Sequence, residues 1–112
     1  MSKITFFNKT VRTEAELQKA FVKKMTALGF LCYKFSSPAK RGVPDYLIIC
    51  PNGETVFVEF KNPTSNNGLS KLQALEIRKM REHGASVYVV HDGDEAEVAF
   101  EQIIDFSKQV MR

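Results

Sequence analysis

Residues 42–63 read "GVPDYLIICPNGETVFVEFKNP". Two apolar, β-branched runs, 45–50 and 55–61, flank "PNGE", whose Asn52-Gly53 pair is a strong hairpin signal. Side chains alternate faces along a strand, so Val56, Val58 and Phe60 share one face while Phe57, Glu59 and Lys61 share the other. Asp45 opens the first run directly after Pro44. In a hairpin with a short turn, the start of one strand lies beside the end of its partner. Asp45, Glu59 and Lys61 are therefore expected to gather at one end of a sheet. A lone ion pair at a strand end contributes only about 0–1 kcal/mol. Two carboxylates beside a lysine are a different matter, because like charges raise each other's pKa unless a cation intervenes, which invites a divalent metal.

Working outward, Thr13 and Glu16 have capping-box spacing and open a helix expected to run to about Leu28, closed by Gly29. "FLCYKF" (30–35) reads as a strand and "SSPAKRG" (36–42) as a basic loop. Beyond the hairpin, "NPTSNNG" (62–68) is rich in turn formers, and Ser70 with Gln73 repeats the capping-box pattern. The helix it starts is expected to last to about His83, before Gly84. "SVYVVHD" (86–92) is a β-branched strand, and a last helix near 94–109 repeats Ala96, Ala99, Ile103, Phe106 and Val110 at helical spacing. The order α-β-β-β-α-β-α predicts an α/β fold: a single small mixed β-sheet flanked by helices, with a right-handed crossover from the third strand to the fourth.

A chain of 112 residues suits one domain, 1–112, with one core. Its hydrophobic content of 44% and charged content of 26% are those of globular chains. A net charge of +3 is too mild to identify a nucleic-acid binder by itself. Cys32 and Cys50 lie in apolar runs without CxxC spacing and are expected to be buried, reduced thiols. No run approaches the roughly 18–20 apolar residues of a membrane span, and "MSKITFFNKT" lacks the apolar stretch of a signal peptide. A cytoplasmic domain is expected. His83 and His91 fall in different elements with no HxH or HExxH pattern, which argues against histidine-based metal chemistry.

At 100° per residue, Glu14, Leu17, Gln18, Phe21, Met25 and Leu28 fall on one stripe of the first helix. The face that packs on the sheet is thus polar in its first turn and apolar thereafter. Glu14 there either complements the helix dipole or meets the charged end of the hairpin. On the second helix, Gln73 shares a face with Ile77 and Met80, and its bland reading is an N-terminal cap.

"GVPD" (42–45) followed by "VEFK" (58–61) resembles the PD-(D/E)xK nuclease signature. With a glutamate-bearing helix before and "LSKLQ" (69–73) after, the chain resembles the VRR-NUC family in its short stand-alone form from bacteria and phages, over roughly Thr13 to Asp92. Its layout is also similar to that of archaeal Holliday-junction resolvases. The resemblance implies a restriction-endonuclease-like core and metal-dependent phosphodiester hydrolysis. Asp45 and Glu59 would bind Mg²⁺ or Mn²⁺ with the Phe60 carbonyl as a backbone ligand, and Glu14 would complete the shell directly or through water. Lys61 would lie near the attacking water, and Gln73 would help position a phosphate or that water. Many relatives carry a glutamate where this chain has Gln18, so one carboxylate is missing unless Glu14, one turn earlier, takes its role.

Lys34, Lys40 and Arg41 near the start of the Asp45 strand, with Ser70 and Lys71 at the second helix start, form a candidate rim for a DNA backbone. No element reads like a base-recognition helix, which points to structure-directed cutting, with branched or junction-containing DNA as the expected partner. Likeness to junction resolvases implies a homodimer or higher homo-oligomer, with "ITFF" (4–7) or the apolar last helix as candidate assembly surfaces. The site is then expected in a bacterial or phage-infected cell. The residues alone leave two rivals: a module that binds nucleic acid without cutting, which Gln18 favours, and a structural protein whose charges only hold the sheet end together. RNA as the substrate is also open.

Overall fold

The computed structural model describes residues 13–35, 40–61 and 68–109. The expectations for 4–7, 36–39, 62–67 and Val110 lie outside the described residues. Seven elements follow the expected order: α1 (Glu14–Ala27), β1 (Leu31–Lys34), β2 (Tyr46–Ile49), β3 (Thr55–Phe60), α2 (Lys71–Glu82), β4 (Ser86–Val90) and α3 (Gly93–Gln109). The four strands form one sheet in the order β1-β2-β3-β4. The first three pair antiparallel, and β3 pairs β4 in parallel, as a strand–helix–strand connection through α2 requires.

Local chemistry sets most boundaries. Both capping boxes form: Thr13 with Glu16 opens α1, and Ser70 with Gln73 opens α2. At the hairpin, Cys50 N–H donates to Glu54 O at 2.7 Å and Gly53 N–H to Cys50 O at 2.8 Å, with the Asn52 carboxamide oxygen accepting from Glu54 N–H. Gly53 takes φ +91°, a left-handed value that a residue with a Cβ adopts only under strain.

The core lies between one face of the sheet and the helices α1 and α3. Leu17, Phe21 and Met25 of α1, Ile48, Val56, Val58, Phe60 and Val90 of the sheet, and Ala96, Ala99 and Ile103 of α3 are buried together. The Phe60 ring meets Phe21 and Tyr46 edge-on, at centroid distances of 5.5 and 5.6 Å. Val56, Val58 and Phe60 do share the core face. On the opposite face α2 packs on β4, and Ile77 and Val87 are buried. Two expectations are corrected. Leu28 is 49% exposed, because it caps α1 and the chain turns away there, so the apolar stripe ends at Met25. Both cysteines are free, but Cys32, on the edge strand β1, is only partly buried, whereas Cys50 is buried. Among the described residues no helix is long and apolar enough to cross a membrane.

Candidate active site

The β2–β3 register pairs Tyr46 with Val58. Continued by one residue, it sets Asp45 opposite Glu59, on the face toward α2. The β1–β2 register pairs Lys34 with Tyr46, on the face toward α1. The charged residues therefore approach one end of the sheet from both faces, and two groups of contacts result.

The first group joins β3 to α2. Glu59 is 3% exposed. Its Oε2 accepts from Gln73 Nε2 at 3.0 Å, while its Oε1 is buried with no hydrogen-bond partner among the described residues. Gln73 Oε1 accepts from Lys61 Nζ at 3.3 Å and from the Ser70 N–H at 3.0 Å. The residue that caps α2 thus also links the glutamate and the lysine of the E-x-K pair. The Ser70 hydroxyl accepts from Gln73 N–H, completing the box.

The second group joins α1 to β1. Gln18 Nε2 donates to Glu14 Oε2 at 3.0 Å, and Lys34 Nζ donates to Gln18 Oε1 at 3.3 Å. The Lys34 ammonium also lies 5.5 Å from the centre of the Tyr46 ring, a cation–π contact. Gln18, where the resemblance led us to look for a carboxylate, instead orients Glu14.

Electrostatics ties the two groups together. Burial pushes the Glu59 carboxyl up to about 7; repulsion from Asp45 and, less strongly, Glu14 adds to the rise, while Lys61 and the Asp45 N–H oppose it. Burial also raises Asp45, against the pull of Lys34, the Phe60 N–H and Lys61. Among the described residues no three His, Cys, Asp or Glu side chains form a ready-made metal cluster. The donor set nevertheless fits a divalent cation. A buried carboxylate oxygen without a partner, beside a second carboxylate whose charge raises the first, is what a cation would satisfy.

The proposed rim is only partly free. Arg41 and Lys71 are exposed. Lys34 is engaged with Gln18, and Lys40 lies 3.6 Å from Glu76 of α2. Glu76 and Tyr46 were missed as neighbours of these residues. Glu76 follows Gln73 by three positions on one helix face, a signal that was readable. The contact of Tyr46 with Lys34 depends on strand register and was not. A groove of about 620 Å³ runs along β4 between α2 and α3, lined in part by Leu69, Arg81, Val89, Glu95 and Val98. None of Asp45, Glu59, Lys61 and Gln73 lines it.

No family model matches the chain. Over 50 residues, 45% of this chain, it is 46% identical to the protein named "Putative nuclease p44" of Acyrthosiphon pisum secondary endosymbiont phage 1. That match spans 54% of the phage protein, about half its length. A solved structure described as a VRR_NUC domain superposes with a TM-score of 0.74 at 33% identity, over 81% of this chain and 97% of that one.

Proposed function

The chain belongs to the VRR-NUC family, and from that premise we propose that it is a divalent-metal-dependent DNA endonuclease whose site is the charged sheet end. The observation that carries this reading is the buried Glu59 Oε1, unpartnered among the described residues, beside Asp45, with Lys61 linked to the same carboxylate through Gln73.

Asp45 and Glu59 would hold Mg²⁺ or Mn²⁺, with the Phe60 carbonyl as backbone ligand and Glu14 reaching the ion directly or through water. Bound there, the ion supplies a Lewis acid that makes water more acidic and shields the phosphate. The chain's own residues do the rest. Gln73 fixes the Glu59 carboxylate on one side and the Lys61 ammonium on the other, so both face the reacting group from rigid elements. Lys61 offers positive charge and protons to the negative charge that grows on the phosphate as water attacks. Lys34 and Gln18 together hold Glu14, and Lys34 offsets the charge of Asp45. Arg41 and Lys71, both exposed, would track a phosphate backbone, with Lys40 and Ser70 beside them in the sequence. Recognition by backbone contacts favours a structure-directed cut, with branched DNA as the substrate and a homodimer as the acting unit.

One observation favours a second reading, a DNA-binding module that does not cut. Gln18 supplies an amide, without negative charge, on the helix face that holds Glu14. A cleavage panel separates the two. A four-way junction, flap, splayed arm, plain duplex and single strand are incubated with Mg²⁺, Mn²⁺ or EDTA, using wild type beside Lys61→Ala. Metal-dependent cutting lost in the variant, with binding retained, supports the nuclease. Binding without cutting in either metal refutes it and favours the module. Sedimentation of a stable monomer on cut DNA would refute the dimer.

A further inference from the structure

Gly42 opens the GxPD stretch three residues before Asp45. It adopts φ +88°, and a Cβ built there would lie 2.9 Å from Leu72 O, 3.1 Å from Leu72 C and 3.3 Å from Gln73 Cα. These are backbone atoms of the first turn of α2, which cannot rotate aside as a side-chain tip can. The same loop is tied to α2 a second time by Lys40 and Glu76, 3.6 Å apart.

We infer that Gly42 is a positioning residue: its missing side chain lets the 40–45 loop seat directly on the first turn of α2 and so sets Gln73 between Glu59 and Lys61. The inference rests on the nuclease reading and adds the element that fixes its geometry. Bringing a Cβ at 2.9 Å to an ordinary contact moves α2 or the loop by about half an ångström, since close-packed interiors pass such strain on. The Lys61–Gln73 bond, at 3.3 Å, is already long. A shift of that size takes it out of hydrogen-bond range, and misplacements near 1 Å cost up to about a hundredfold in rate.

Left-handed φ alone strains any substitution, so the control is Gly84, at φ +92° with nothing among the described residues within 4 Å of a built Cβ. Kinetics on the best-cut DNA and thermal melts are compared for wild type, Gly42→Ala, Gly84→Ala, Gln73→Ala and the Gly42→Ala/Gln73→Ala double variant. Gly84→Ala is expected to lower Tm and leave kcat at the wild-type value. Gly42→Ala is expected to lower kcat about tenfold with KM little changed, and to add less than about twofold once Gln73 is gone, because residues that act through one another are non-additive. A full tenfold loss on top of Gln73→Ala, or a lower Tm with normal kcat, overturns the inference. If Gly42→Ala does not fold, Glu76→Gln cuts the second tie without adding bulk. It is expected to lower kcat about twofold in wild type and not at all beside Gln73→Ala, and equal losses in both backgrounds overturn the inference. The NMR resonance of the Gln73 side-chain amide, read without DNA, decides the point independently of activity. It should move in Gly42→Ala, or in Glu76→Gln, and stay put in Gly84→Ala. A wild type that cuts nothing would refute the nuclease reading, whereas an unmoved resonance would refute the positioning.

Discussion

Replacing Glu59 by glutamine is expected to make the metal-free protein more stable while ending cleavage. The Glu59 carboxyl titrates near 7 in the fold, against an ordinary value of 4.5. Between those two values the folded state holds a proton that the unfolded state has released, so stability falls as pH rises from about 4.5 to about 7 and is flat above. At about 1.4 kcal/mol per pH unit, the ionised carboxylate costs the fold roughly 3 kcal/mol at pH 8. Glutamine removes that charge. Its carbonyl can still accept from Gln73 Nε2, with its amide group in the place of Oε1. Allowing about 1 kcal/mol for imperfect hydrogen bonds, the net gain is about 2 kcal/mol, or about 10 °C in Tm for a domain of this size.

The assay is thermal and urea unfolding in EDTA at pH 8 and near pH 4.5, followed by titration with Mg²⁺ or Mn²⁺ at pH 8. The gain should be largest at pH 8 and give way to a small loss as the pH falls to 4.5, where folded Glu59 is protonated and the unfolded carboxyl half so, leaving mainly the cost of the imperfect hydrogen bonds. Metal should then raise the wild type and leave the variant nearly unmoved, since a ligand stabilises only the state that binds it. A variant less stable than wild type at pH 8, or equally more stable at both pH values, would refute the account of Glu59 as a repelled, buried carboxylate.

Lys61→Ala should lose at least about a hundredfold in kcat while DNA affinity stays within about twofold, measured by single-turnover cleavage and gel shift. Gln18→Glu sets a carboxylate against Glu14. Without metal it should lower stability by about 1 kcal/mol, and calorimetry should show tighter Mn²⁺ binding than wild type; unchanged affinity would remove the α1 end from the site. Thr13→Ala should cost about 1 kcal/mol through the lost cap of α1, with kcat little changed because Gln18 holds Glu14, read by urea melts and the same cleavage assay. Phe60→Ala, which empties the contact with Phe21 and Tyr46, should cost about 3–5 kcal/mol, and a melt within 1 kcal/mol of wild type would contradict the core.

What was legible in the chain was what short-range chemistry decides. Alternation from 55 to 60 and the Asn52-Gly53 turn set the hairpin, and that register alone carries Asp45 to Glu59. Both capping boxes were readable because their partners lie three residues apart. Alternation names a face but not what covers it: Glu59 was placed on the non-core face, yet it is buried because α2 closes over that side of the sheet. Spacing could put Glu76 on the Gln73 face but not beside Lys40, thirty-six residues away, and Gln18, sixteen residues from Lys34, was equally hidden as its partner, on a helix whose docking no local pattern encodes.

Gln73 is where the two kinds of information meet. As the third residue after Ser70 it is fixed by the cap, and its Oε1 must point back to the Ser70 N–H. The first turn of α2 therefore holds that side chain in one place before any active site is considered. The fold then needs only to bring the end of β3 to that place for the same oxygen to take Lys61 and the amide nitrogen to take Glu59. A capping serine, itself exposed, thereby constrains a buried carboxylate on another element. Loosening the cap should accordingly be felt at the sheet end, not only in the stability of α2. The cap of α1 is made by Thr13 and Glu16, while Glu14 is held by Gln18, so loosening it should reach the sheet end less, and the contrast between the two caps measures how much of the site's order comes from a local motif.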